Sequence, residues 1–159
     1  MVRTEISLFL KNVPGELGRL SALLGSNGVN IDALMIQDAS DYVQQLFLNR
    51  GKALHRIASA ANYSSMSKDS AEFALIRMLV DNTDRAVSLL SEHDYLFDVM
   101  PVIALHLENR PGELAAVTKK FGEEGINIHY VYGSVAGPEA KCLFVFCPAD
   151  IDLAARIFK

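Results

Sequence analysis

The chain has 159 residues, half of them hydrophobic, with a net charge of −4, two cysteines and no tryptophan. That length and apolar content allow a sizeable buried core, and the acidic balance argues against a nucleic-acid surface, which shows as a basic face. No apolar run of signal-peptide length follows Met1, and none approaches the roughly 18 residues that suggest a membrane span, so a cytoplasmic protein is expected.

In chain order, Ile6, Leu8 and Leu10 alternate with Glu5, Ser7 and Phe9, the period of a strand with one buried face. Asn12-Val13-Pro14-Gly15-Glu16-Leu17 then opens a helix, with Pro suited to its first position. Leu17, Leu20 and Leu24 form the apolar stripe of that helix. Gly28 fits a left-handed C-terminal cap, and Asn30-Ile31 begins a second strand. Residues 39–70 form an insert in which Val43, Leu46, Phe47, Leu54, Ile57, Ala58 and Ala61 fit a helical face. Residues 42–48 alone also fit an extension of the second strand. Either a docking arm or a helix folded back over its own sheet satisfies this pattern. A third apolar run, Phe73 to Val80, precedes a second helix bearing Ala86, Leu89 and Leu90, and a final strand is expected over 96–100.

The pattern then repeats. Residues 12–32 and 109–129 align at an offset of 97 with nine of 21 positions identical, including Asn109, Pro111, Gly112, Glu113 and Leu114. Ile103, Leu105 and Leu107 supply the preceding strand, and Gly125 the helix stop. Asn127-Ile128 starts the next strand, 141–147 form the third run, and Ala154, Ile157 and Phe158 lie on the closing helix. Each unit reads β-α-β-β-α, with a last strand in the first copy only. The expected fold is α+β: two ferredoxin-like βαββαβ units in tandem, 1–100 and 101–159, the second lacking its last strand. That loss predicts an uncovered edge along 102–108, and a homodimer in which a second chain covers it. Pro101 marks a bend or a change of partner.

Two copies of N-x-P-G-x-L followed by G-x-N-I make the chain resemble the ACT domain family, small-molecule sensing modules of amino-acid metabolism. The second copy is similar to the serine-sensing regulatory domain of phosphoglycerate dehydrogenase, although Leu107 stands where that domain has a histidine. The resemblance implies a small amino acid as ligand, a separate partner enzyme and no cofactor. It also implies contacts from the helix mouths (Asn12, Pro14, Gly15, Glu16, Leu17; Asn109, Pro111, Gly112, Glu113, Leu114). Asn30, Ile31, Asn127 and Ile128 would reach a ligand from the neighbouring domain.

The residues support a binding site on their own terms. A helix start leaves N–H groups unpaired and carries the positive end of the dipole, which suits a carboxylate. The asparagine amides offer both donors and an acceptor, and equally suit turns and caps. An enzyme is not expected. His55, His93, His106 and His129 are dispersed, no nucleophile or phosphate-loop motif occurs, and no metal-ligand spacing is present. Cys142 and Cys147, five apart, point to opposite faces of a strand and read as core residues. The alternative function is an interaction subunit whose units dimerise without a ligand.

Overall fold

The computed structural model describes residues 1–39, 73–134, 137 and 141–158. Within them run β1 (Val2–Lys11), α1 (Glu16–Ser26), β2 (Ile31–Asp38), β3 (Phe73–Val80), α2 (Thr83–Glu92), β4 (Phe97–Leu107), α3 (Glu113–Glu123), β5 (Ile128–Ser134), β6 (Cys142–Pro148) and α4 (Ile151–Ile157). The insert expected over 39–70 lies outside the described residues except for Ala39, which is buried against Phe73.

Both long helices end as their glycines require. Gly28 and Gly125 adopt φ of +73° and +67°. Val29 N–H then donates to the Leu24 carbonyl (3.0 Å) and Ile126 N–H to that of Phe121 (2.9 Å), the six-to-one bond of a Schellman cap. The shorter helices begin on side-chain caps, Asn82 accepting from Arg85 N–H and Asp150 from Leu153 N–H.

The strands form one antiparallel sheet in the order β2-β3-β1-β4-β6-β5. Its first half is a complete ferredoxin-like unit, with β4 as the fourth strand beside β1. Its second half reuses the far end of β4 as the first strand of the next unit. The expected strands at 96–100 and 103–107 are therefore one strand running through Pro101. Pro101 itself stays paired with Thr4: β1 pairs with Phe97–Ile103 along one side of β4 and β6 with Ile103–Leu107 along the other, so the partners overlap at Ile103, two residues beyond the expected place.

This arrangement corrects the expectation of an edge open along 102–108. The chain's own first residues cover part of it, Arg3 opposite Val102 and Val2 opposite Ile103. Met1 and Ala104 exchange hydrogen bonds beyond that (2.9 and 3.3 Å). Only Leu105–Leu107 lack a strand on that side among the described residues. The expectation looked for the cover in a second chain, whereas β1 of the same chain is long enough to reach across.

Both helix pairs sit on the same face. Ile6, Leu8 and Leu10 pack with Leu20, Leu24 and Leu90 under α1 and α2, while Ile103 and Phe146 pack with Phe121 and Ala154 under α3 and α4. The opposite face is not open to water. Ala33, Leu79, Val102, Ala104, Leu143, Val145 and Cys147 form a third cluster there, drawn from both halves. In a flat sheet the outer strands β2 and β5 would stand about 24 Å apart. Here they touch, so the sheet curls over its helix-free face and closes a second core between the two units.

Candidate functional site

Val13-Pro14-Gly15-Glu16 is a type II turn. Pro14 takes its second position, Gly15 its third with φ +96° and ψ −18°, and Glu16 N–H returns to the Val13 carbonyl at 3.4 Å. Pro14 is thus a turn residue two positions before the helix, not its first helical residue as the sequence suggested. Gly15 is needed for its left-handed backbone. A Cβ built there meets nothing within 4 Å, so close packing is not the reason.

The turn leaves Leu17 and Gly18 N–H without a partner among the described residues, at the positive end of α1. A cleft of about 360 Å³ opens beside them, lined by Leu10, Lys11, Asn12, Val13, Pro14, Gly15, Glu16, Leu17, Ile36 and Ala74. The fold brings these together because Leu10 is paired with Ala74 on the helix side of the sheet, with Ile36 on β2 one strand further out. The Asn12 amide makes no hydrogen bond among the described residues, and Lys11 has no ion-pair partner there. The Glu16 carboxylate is held by Arg19 at 2.8 Å, which offsets its charge. Leu10, Lys11, Val13, Ile36 and Ala74 were not expected at the site from the sequence. The turn motif marks only the residues next to the helix start, and tertiary pairing supplies the rest.

The second turn, Arg110-Pro111-Gly112-Glu113, has the same geometry, with Gly112 at φ +92° and Glu113 paired with Arg110 at 2.7 Å. Its surroundings differ. Asn109 donates its amide to the Gly137 carbonyl (2.9 Å), so that amide is engaged. Gly133 holds the register position of Ile36, and the Phe144 ring lies over it, 2.7 Å from where a Cβ would stand.

The asparagines at the second strands are not brought to the mouth of their own unit. Lys11 pairs with Phe73 and Ile31 with Val80, opposite ends of β3, more than about 20 Å apart. Asn30 takes part in a turn there, its N–H bonded to Asp81 and its amide to Asp32. Asn127 and Ile128 occupy the matching end of the second unit, Ile128 opposite Pro148 while Leu107 lies opposite Cys142. His106 is exposed, although it shares the inner face with Ala104 and lies opposite Leu143.

The model of the family of ACT domain pairs matches residues 47–157, more than half of the chain. The chain belongs to that family. Solved structures similar to this ACT pair include protein BT0572 from Bacteroides thetaiotaomicron, at 22% identity and TM-score 0.72, covering 99% of this chain and 87% of that one. The ligand-free regulatory subunit of aspartate kinase from Thermus thermophilus matches at 13% identity and TM-score 0.53, covering 99% and 92%. Aspartokinase alpha and beta subunits match at 14% and 0.51, covering 99% and 93%. At such identities the likeness is one of fold. A search of curated proteins returns no match.

The ACT pair also holds a polar group inside its second core. Glu5, fully buried on β1, accepts from the hydroxyls of Tyr130 (2.5 Å) and Tyr132 (2.9 Å) on β5 and from Ser7 (3.2 Å). The Arg77 guanidinium lies 4.0 Å from the Tyr130 ring centroid, its Nε 3.8 Å from Glu5. The register equates Glu5 with Val102, Arg77 with Val145, Tyr130 with Ala33 and Tyr132 with Met35, so each polar member has an apolar counterpart in the other copy and the two copies share the cluster between them. Burial first, then the neighbouring Glu5 charge and its hydrogen bonds, raise both tyrosine pKa values well above 10.0. A raised pKa stabilises the fold fully below the unfolded value and loses that contribution as pH climbs above it. Melting temperature should therefore fall steeply above pH 10, and Tyr130→Phe/Tyr132→Phe should flatten that fall in scans from pH 8 to 11.5.

Cys142 and Cys147 are both free and buried, and burial pushes the Cys147 thiol up, away from reactivity. Among the described residues no cluster of His, Cys, Asp or Glu is placed to hold a metal, and no helix is long and apolar enough to cross a membrane.

Proposed function

We propose that this ACT pair is a regulatory module that binds a free amino acid in the cleft beside α1 and transmits its presence to an enzyme of amino-acid metabolism. The observation that carries this is the cleft itself. Its size suits one small molecule, and the unpaired N–H groups at the start of α1 and the unengaged Asn12 border it. The ligand carboxylate meets Asn12 and the N–H groups of Leu17 and Gly18. The regulatory subunit of aspartate kinase among the similar structures agrees with a non-catalytic role.

The second mouth is assigned no ligand, because Asn109 is already bonded and Phe144 overlies Gly133. Regulation requires the ligand to bind two states of the assembly unequally, typically by about 1–3 kcal/mol. The outer edges of β2 and β5, with Ile36 and Val131 exposed, favour a second copy of the chain as neighbour and thus a two-fold dimer. An interaction subunit with no ligand is the competing reading. A thermal-shift screen of free amino acids separates them. A ligand at 100 times its Kd stabilises the native state by about 2.7 kcal/mol, and Asn12→Ala should remove most of that gain while Asn109→Ala leaves it. No shift with any amino acid favours the interaction subunit.

A further inference from the structure

The lining of the cleft divides into two ends. Asn12 and the start of α1, with its unpaired N–H groups and positive dipole end, provide the hydrogen-bonding groups, and they match the ammonium–carboxylate head that every amino acid shares. The other end, Leu10, Val13, Leu17, Ile36 and Ala74, carries no polar side-chain atom. The Glu16 charge is taken by Arg19.

We propose that the ligand is an α-amino acid with an apolar side chain, of leucine to phenylalanine size, directed onto Leu10, Val13, Leu17, Ile36 and Ala74. The inference rests on the reading of this cleft as an amino-acid site and adds which amino acids it takes. A hydroxyl, carboxylate or ammonium placed against those residues gives up its water without gaining a partner. An apolar side chain loses nothing there and removes apolar surface from water, on both ligand and protein. Leu10 and Ala74 are buried and fix the floor, whereas Val13 and Ile36 are half exposed and have surface left to cover. The serine-like ligand suggested by resemblance finds no hydroxyl partner at this end. Discrimination by a wall of this kind is on the order of tenfold to a hundredfold.

Isothermal calorimetry on the full chain tests this with leucine, phenylalanine, serine, aspartate and lysine. Leucine or phenylalanine should bind at least tenfold tighter than the other three. Ile36→Asp should weaken that binding at least tenfold, as should Val13→Asp in the turn, which guards against disturbance of β2 by the first change. Both positions are exposed, so circular dichroism and melting temperature should stay as in the parent. Tighter binding of serine, aspartate or lysine, lost in Asn12→Ala, would overturn the apolar side chain while leaving the amino-acid site standing. Apolar binding that survives both aspartate variants would overturn the assigned wall. No heat with any of the five at millimolar concentration would overturn the side chain and the site together.

Discussion

Glu5→Leu is expected to lower the unfolding free energy by about 3 kcal/mol, since a lost buried partner leaves its counterparts desolvated and unpaired. Tyr130 and Tyr132 lose the acceptor on which both hydroxyls converge, and Arg77 loses its nearest counter-charge. The leucine side chain restores volume but no acceptor. At roughly 3 °C per kcal/mol for a chain of this size, the melting temperature should fall by about 9 °C. Glu5→Gln keeps a carbonyl acceptor and should cost clearly less. Because the three side chains join the two units, amide exchange in Glu5→Leu should rise along β2 and β5 more than under the helices. Equal stability of parent and Glu5→Leu in urea unfolding would show that the inner face does not need the carboxylate.

Gly15→Asp is expected to abolish amino-acid binding, with affinity down at least a hundredfold. A carboxylate at the mouth of α1 opposes the ligand's own carboxylate, and φ of +96° strains any residue bearing a Cβ. Such strain costs about 1–3 kcal/mol of stability by itself, so binding loss alone would be ambiguous. The chain contains its own control. Gly112 sits in the same turn at φ +92°, and neither glycine has an atom within 4 Å of a built Cβ. Gly112→Asp should lose a similar amount of stability yet retain ligand affinity. Calorimetry and thermal melts on the pair therefore separate strain from site. Loss of binding in both variants would mean that strain, not the first mouth, is being measured.

Much of the fold is legible in the sequence because local signals agree. The 97-residue repeat, the alternation over Ile6–Leu10 and the glycine stops at Gly28 and Gly125 each predict what is seen. Pro14 misleads because N-x-P-G fits both a first helical turn and a type II turn, and only the φ of Gly15 decides. The inner face was hidden for a related reason. Glu5 and Ser7 alternate with apolar residues and read as a solvated face, while their tyrosine partners lie some 125 residues away. A signal was present in Cys142–Pro148, an unbroken apolar run, and in Phe73–Val80, apolar but for Arg77, which indicate strands buried on both sides. The site divides in the same way. The turn motif locates the mouth, but Ile36 and Ala74 join it only through strand register.

The most direct measurement of the proposed site is an amide chemical-shift titration of the full chain with leucine and phenylalanine. Saturable shifts should concentrate on Lys11, Asn12, Val13, Gly15–Gly18, Ile36 and Ala74, with the largest at Leu17 and Gly18, whose N–H groups meet the carboxylate. Residues 109–115 should stay near their free positions. Shifts centred on 109–115, or on the inner face around Glu5 and Tyr130 with the α1 mouth unmoved, would contradict the account.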